Sequence, residues 1–282
     1  IRSRYATPAD FCFDAAFSDS VKVSMVAFAK NRQYDCMTYL DCKLYKTAQE
    51  CIEYLKSMTN LTGNNIVKEM HCYKYRDTKF TKKICEMSIT HWFSKALPTH
   101  ILRYGVGEPF AKDRAIIANT TDITKTSDFI ADSFLPVIDP DEHTIKAQIL
   151  KYGGNCFETV KYNTYQRSSA FTTYDKNSDR KDEFNEFITQ RAIKIAHDLL
   201  NSKIYKISEE EQRNRYTQEA ERIISVNLAG LVRTCSVKFE MTKADERKGI
   251  LRLILRLTFY TVSKYGVCEV VLDPRVVSEA AA

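Results

Sequence analysis

The stretch DFCFDAAFSDSVKVSMVAFAKNRQYDCMTYLD, residues 10–41, decides how this chain folds. Phe11 to Phe13 makes a short apolar strand. Ser18 then stands where a helix cap belongs, and Val21, Met25, Phe28 and Ala29 recur at the i, i+4, i+7, i+8 spacing of one helical face. Asn31-Arg32-Gln33 ends that helix, and a second apolar strand, Cys36 to Leu40, follows at once. Thr47 and Glu50 have capping-box spacing before a helix bearing Cys51, Ile52 and Leu55. Strand, helix, strand, helix in this order predicts parallel strands joined by a right-handed crossover, because strand twist lets a helix pack back on its sheet in that hand.

Beyond residue 60 the pattern loosens. Asn64-Asn65 marks a turn, Ile66 to Tyr75 and Lys82 to Met87 read as strands, and Ile89 to His100 reads as a helix stopped near Pro98. Gly105 to Asp113 is a loop punctuated by Gly and Pro, and Leu135 to Pro140 reads as a strand leading into a turn. From Thr144 the signals sharpen. Ile145 to Leu150 predicts a short helix closed by Gly153-Gly154, Phe157 to Tyr165 a strand, and Asp175 to Asp182 a linker-like polar stretch. Phe184, Phe187, Ile188, Ile195 and Leu199 trace one face of a long helix, with Arg191, Lys194 and Asp198 on another. A second helix starts at Ser208, with Glu211 completing a capping box, and carries Ala220, Ile223, Ile224 and Leu228. Three strand-like runs close the chain: Leu231 to Met241, Ile250 to Val262 and Val267 to Leu272, the last two turning at Gly266. The expected fold class is therefore α/β followed by α+β. Residues 1–150 would hold a parallel βαβ core, and residues 151–282 two helices and a mostly antiparallel sheet.

Composition narrows the function classes. The 282 residues are 44% hydrophobic and 28% charged, which excludes collagen-like and disordered readings. No apolar run approaches the ~18–20 residues needed to cross a bilayer, and Gly249 to Val262 is broken by Arg252 and Arg256. A net charge of +6 permits an anionic partner but falls short of a dedicated nucleic-acid binder. Nine scattered cysteines, an odd count without a CxxC pair, point to reduced thiols in a cytosol-like compartment rather than a disulfide framework.

Few motifs carry chemistry. Gly105-Val106-Gly107 lacks the third glycine of a dinucleotide loop, and no GxxxxGK[ST] occurs. Cys72, Cys85, His71 and His91 have zinc-ligand atoms without the paired spacing of a structural site, and no local signature marks a Cys–His nucleophile. Asp14 and Asp41 are different, because each ends a strand of the parallel unit, where ligands of open α/β sheets bind. Two carboxylates there could hold a divalent metal or act as acid and base. They could equally cap the turns that follow, and no adjacent His, phosphate loop or third carboxylate supports the catalytic reading. Arg191 and Lys194, joined by Lys203 and Lys206, would present a basic face that is either solvated or a dock for an acidic surface.

The phrase Phe13-Asp14-Ala15-Ala16-Phe17, a helix ending Lys30-Asn31-Arg32, and Asp35-Cys36-Met37-Thr38-Tyr39-Leu40-Asp41 together resemble the tail sheath proteins of contractile-tailed bacteriophages. That family's pattern is Asp-Ala-Gly-Tyr-Pro, a helix, Arg-x-Asp and an apolar strand ending in Asp, in a domain with a subtilisin-like fold and no protease triad. Asp14, Arg32, Asp35 and Asp41 match it as structural motif residues. Tyr162 to Arg167, the helices from Asp182 and Glu209, and the runs Val237 to Met241, Arg247 to Phe259 and Val267 to Asp273 follow the order of the family's C-terminal domain. The chain departs from the pattern at Ala16, where the family has Gly, at Ser18, where it has Pro, and in Ile89 to His100, which lacks an Ala/Gly-rich segment. These departures suggest a remote branch, such as that of a large-genome phage, or a sheath-like paralogue in the same particle.

The resemblance implies a structural, non-enzymatic subunit without cofactor or metal. It would polymerise with its own copies around an inner tube and contract to drive that tube through a host envelope. The implied partners are neighbouring sheath subunits, the tube protein, the baseplate and the tail terminator, with no nucleic-acid contact and no membrane insertion. The implied location is the virion tail, assembled in the host cytoplasm. The helix from Asp182 to Leu200 becomes the tube-facing one, with Arg191 and Lys194 as attachment residues. Val267, Cys268, Glu269, Val270, Val271 and Leu272 become a strand exchanged between subunits, ended at Pro274, which cannot donate to a ladder. The same six residues could instead close an ordinary hairpin. Because the likeness begins near residue 10 and the first residue is Ile1, the chain is expected to be the C-terminal portion of a larger subunit. The alternatives are a soluble metal-dependent α/β enzyme using Asp14 and Asp41, another sheath-like tail or baseplate component, and a basic nucleic-acid binder.

Overall fold

The computed structural model describes residues 9–32, 36–42, 47–76, 83–118, 136–161, 164–176, 178–204, 206 and 209–260. The first unit is β1 (Phe11–Phe13), α1 (Asp19–Asn31), β2 (Met37–Asp41) and α2 (Ala48–Ser57). Thr47 and Glu50 form the expected capping box at the start of α2. β3 (Ile66–Glu69) follows, then β4 (Cys72–Arg76) and β5 (Ile84–Ser88). The run from Ile66 to Tyr75, read as one strand, is thus two, broken at Met70-His71, and its halves enter different sheets.

α3 (Ile89–Tyr104) runs straight through Pro98 rather than stopping there. Proline removes one bond to the carbonyl four residues back. That carbonyl belongs to Ser94 on the exposed side of the helix, where water can replace the lost donor, while Phe93, Leu97 and His100 keep the inner face buried. β6 (Ile116–Ala118), α4 (His143–Lys151), β7 (Gly154–Asn155), β8 (Phe157–Lys161) and β9 (Thr164–Arg167) complete the middle. Leu135 lies outside the described residues and 136–140 form no strand, so that expectation fails; the Ile138 carbonyl simply accepts from the Thr159 amide. The run read as one strand from Phe157 is the hairpin of β8 and β9. The C-terminal part is α5 (Glu183–Asn201), α6 (Glu210–Asn227), β10 (Val232–Glu240), the one-turn α7 (Lys243–Glu246) and β11 (Arg252–Phe259). Glu209 rather than Ser208 is the N-cap of α6.

The result is a mixed α/β fold with seven α-helices among the described residues. Its centre is a parallel sheet in the order β1-β2-β3-β7, with Phe13 opposite Tyr39, Thr38 opposite Ile66 and Lys68 opposite Gly154. Three antiparallel sheets surround it: β4-β5, β6-β9-β8 and β10-β11. Parallel sheets are buried on both faces, and the two hydrophobic clusters follow that rule. Met37, Tyr39 and Val67 pack with Phe93, Phe157 and the apolar face of α5, whereas Leu40 and Ile66 pack with α1, α2 and α4. Gly154 has no room for a side chain: a Cβ there would lie 2.7 Å from Leu55 Cδ1 and 3.0 Å from Ile149 Cγ2.

Phe93 is fully buried among Tyr39, Trp92, Phe110 and Phe157. Phe93→Ala is expected to cost ~3–5 kcal/mol, since the rigid aromatic shell cannot collapse into the space. Urea unfolding followed by circular dichroism measures it, and a loss under ~1 kcal/mol would contradict this packing.

Candidate functional site

Asp14, just past β1, and Asp41, the last residue of β2, are both fully buried at the carboxyl ends of neighbouring parallel strands. Between them lies Lys22, also fully buried. Its ammonium donates to Asp14 Oδ2, to Asp41 Oδ1 at 2.6 Å and to the Asp41 carbonyl at 3.0 Å, so all three of its donors are used. The carboxylates are engaged as well: Asp14 accepts from the amides of Phe17 at 3.0 Å and Asp41 at 3.2 Å, and Asp41 accepts from the Ala16 amide at 2.6 Å. Burial, with the neighbouring Asp41 charge, pushes the Asp14 carboxyl up, and Lys22 offsets part of that. Burial alone would pull Lys22 down, but the two carboxylates outweigh it and hold its pKa above the ordinary value.

The helical face of α1 read from the sequence is therefore rotated. Lys22, Met25, Val26 and Ala29 are buried, while Val21 and Val23 are exposed, because the two carboxylates require the ammonium on the sheet side. Ala16 adopts the left-handed region at φ 59° to aim its amide at Asp41. That explains why glycine suits this position in the pattern the chain resembles. Arg32 is buried at the C-cap of α1, with its guanidinium 5.4 Å from the Phe28 ring centre. Asp35 lies outside the described residues.

A second buried centre ties the parallel sheet to α5. Arg167, at the end of β9, donates to Glu69 of β3, to Glu183 at 2.5 Å and to the Phe110 carbonyl at 2.8 Å. Its guanidinium lies 4.9 Å from the Phe93 ring centre, and Tyr39 donates to the other oxygen of Glu183 at 2.5 Å. Burial pushes the Glu69 carboxyl up to about 8, with the Arg167 charge offsetting only part of the effect. On the opposite face, the buried Lys68 ammonium meets the Met58 carbonyl at the C-cap of α2 at 2.7 Å, and burial pulls its pKa down to about 8. A cation suits the negative end of a helix, so this group holds α2 against the sheet.

Lys22 fills the position a metal would take between Asp14 and Asp41, and among the described residues no three His, Cys, Asp or Glu side chains group to hold one. His71 is buried and accepts the Phe157 amide at 2.7 Å, and His91 bonds Tyr73. Burial pushes the Cys51 and Cys156 thiols up to about 12 and about 11, so they stay protonated and unreactive.

On α5, the first turn and a half is buried, and Arg191 is the first exposed residue. Lys194, one turn on, is partly exposed and ion-paired with Asp10. Lys203 does not join this basic face: it is buried, pairing with Glu219 at 2.5 Å over the Tyr216 ring. Val267 to Leu272 and the turn at Gly266 lie outside the described residues. Sequence reasoning found Asp14 and Asp41 but missed Lys22, Glu69, Arg167 and Glu183. A lysine inside an apolar helical face and an acid ending an apolar strand were the available signals.

The fold is similar to that of solved components of contractile machines. A chain of the contracted helical sheath of the anti-feeding prophage superposes with a TM-score of 0.68 at 8% identity, over 94% of this chain and 70% of that one. A chain of the contracted PVC sheath complex, from an extracellular contractile injection system, gives 0.71 at 10% identity, over 97% and 74%. The sheath tail protein of Desulfitobacterium hafniense gives 0.50 at 11% identity, over 86% and 54%. No protein-family model and no curated protein matches the sequence. The sheath likeness read from residues 10–41 is thus present in the fold.

Four variants probe the two centres. Lys22→Met should lose ~3–5 kcal/mol, because it strands two buried carboxylates, and adding Asp14→Asn and Asp41→Asn should recover part of the loss. Ala16→Gly should gain about 1 kcal/mol by relieving the left-handed alanine. Glu69 has a folded-state pKa raised to about 8, so its contribution is fully present below the unfolded value of ~4.3 and is lost as pH rises toward 8. Urea midpoints should therefore fall less between pH 5 and 8 in Glu69→Gln than in the parent; an identical fall would show that Glu69 stays ionised throughout.

Proposed function

We propose that this chain is a structural subunit of a contractile sheath: it polymerises around an inner tube, and its lattice shortens to drive that tube through an envelope. The observation that carries the reading is a fold shared along 97% of the chain with a contracted sheath subunit. The two polar centres agree with it, since their charged groups are buried and pair with one another across separate elements. Residues 1–150 would be the sheath core domain and 151–282 the domain facing the tube. The partners would be neighbouring copies, the tube protein, the baseplate and the terminator, in a particle assembled in a host cytoplasm.

Within this proposal the exposed Arg191 is the primary tube contact. Lys194 is available only by giving up its pair with Asp10, an exchange that costs little because exposed ion pairs contribute ~0–1 kcal/mol. Such contacts are modest and weaken with salt, which suits an attachment that must release during contraction. Residues 267–272 would add as a strand to a neighbour's sheet, where main-chain hydrogen bonds tolerate sequence change.

Electron microscopy of the concentrated protein tests the assembly: rings or striated tubes are expected, and a monodisperse monomer under all conditions would contradict it. Arg191→Glu with Lys194→Glu should abolish co-sedimentation with the tube protein at physiological salt while leaving the circular dichroism spectrum unchanged. Undiminished co-sedimentation would remove α5 as the attachment element.

A further inference from the structure

A lysine amine is a nucleophile once it gives up a proton, and a carboxyl group that holds a proton can be acylated onto it with loss of water. In solvent the two groups stay charged and apart. At the end of β1 the fold removes both obstacles: Asp14, Lys22 and Asp41 are out of reach of water, and the Lys22 nitrogen is in contact with Asp14 Oδ2 and, at 2.6 Å, with Asp41 Oδ1. Groups held together in this way react as if at an effective concentration of ~10⁵–10⁸ M. Among the described residues no other lysine meets a carboxylate with both groups buried: Lys68 meets a carbonyl, and Glu219, the partner of Lys203, is exposed.

The surrounding groups give the two Asp14 oxygens different parts. Oδ1 accepts from the Phe17 amide at 3.0 Å, a donor already in place for negative charge that develops there in a tetrahedral intermediate. Oδ2 faces the lysine and can leave as water. Asp41 reaches the same nitrogen through Oδ1 while the Ala16 amide holds its other oxygen at 2.6 Å, so a second carboxylate stands ready to move protons. Lys22 rests as the ammonium; its reactive form is the one in which its proton has crossed to Asp14 Oδ2, which leaves the net charge of the centre unchanged. Burial favours the protonated form of Asp14.

We propose that Lys22 and Asp14 condense into an intramolecular isopeptide bond, with Asp41 as the proton carrier. The neutral amine attacks the Asp14 carboxyl carbon and forms the C–N bond, and the electron pair of the C=O moves to Oδ1. Asp41 takes one proton from the nitrogen and passes it to the protonated Oδ2. The C–Oδ2 bond then breaks, the C=O bond at Oδ1 re-forms, and one water leaves. Asp41 ends as the carboxylate it began as, and no oxidant, metal or second substrate is needed. The bond ties the end of β1 to the first turn of α1.

Mass spectrometry of the folded full chain tests the proposal. The intact mass should fall short of the sequence mass by one water, about 18 Da. Trypsin cannot cut after an acylated lysine, so residues 5–30 should emerge as one peptide lighter by that water, with fragmentation placing the link between Asp14 and Lys22. Lys22→Arg, whose guanidinium is no nucleophile, and Asp41→Asn, which cannot carry the proton, should both restore the full mass. A wild-type chain of full mass that releases Tyr5–Lys22 and Val23–Lys30 as separate peptides would overturn the proposal, as would a missing water located elsewhere in the chain. The wild-type digest decides this even where a variant fails to fold, and a light Asp41→Asn chain would overturn the part given to Asp41. The result is read on the single chain and does not depend on assembly into tubes.

Discussion

Arg167 carries a charge that water cannot reach, so its position is fixed by the groups that replace water. These are Glu69 at the end of a central strand, Glu183 in the first turn of α5, the Phe110 carbonyl and the face of Phe93. Removing an acceptor among them would leave a buried donor of Arg167 unpaired, a cost of ~1–3 kcal/mol or more. The four partners come from four separate segments, and Tyr39 of β2 adds a fifth through Glu183. The parallel sheet, the aromatic cluster of α3 and the start of α5 are therefore held in one relative placement. Lys22, Asp14 and Asp41 do the same for α1 against the first two strands.

This distribution of polar groups bears on mechanics. A subunit carried between two lattice arrangements has to transmit force, and buried ion pairs whose members come from separate segments fix where those segments sit relative to one another. The C-terminal hairpin of β10 and β11 has a different character. One face packs on α6 through Val237 and Phe239, while Leu253, Ile254, Leu255 and Leu257 of β11 remain half-buried. Buried ion pairs thus concentrate around the parallel sheet, and partly covered apolar surface concentrates at the hairpin.

Much of this was legible in the sequence where local signals agree. The strand-helix-strand order of residues 10–41, the capping box at Thr47 and the long helix after Asp182 all needed only periodicity and cap chemistry. What was not legible depended on tertiary partners. Pro98 looked like a helix stop, but a solvent-facing Ser94 carbonyl absorbs the loss. The run from Ile66 to Tyr75 looked like one strand because it holds no Gly, Pro or Asn to mark the break at Met70-His71. Lys22 was not singled out, because its burial arises from Asp14 and Asp41, 8 and 19 positions away. Lys203 looked exposed for the converse reason, since Glu219 is brought near only when α5 and α6 pack.

The central claim is that the chain acts as a repeating mechanical subunit with α5 turned toward an inner tube. A helical cryo-electron-microscopy reconstruction of the assembled protein with its tube tests this most directly. The account predicts a tubular lattice of this fold with Arg191 at the lumenal surface and the Arg167 centre unchanged from the subunit described above. A lattice with α5 on the outer surface, or particles in which this chain occupies a single non-repeating position, would contradict it.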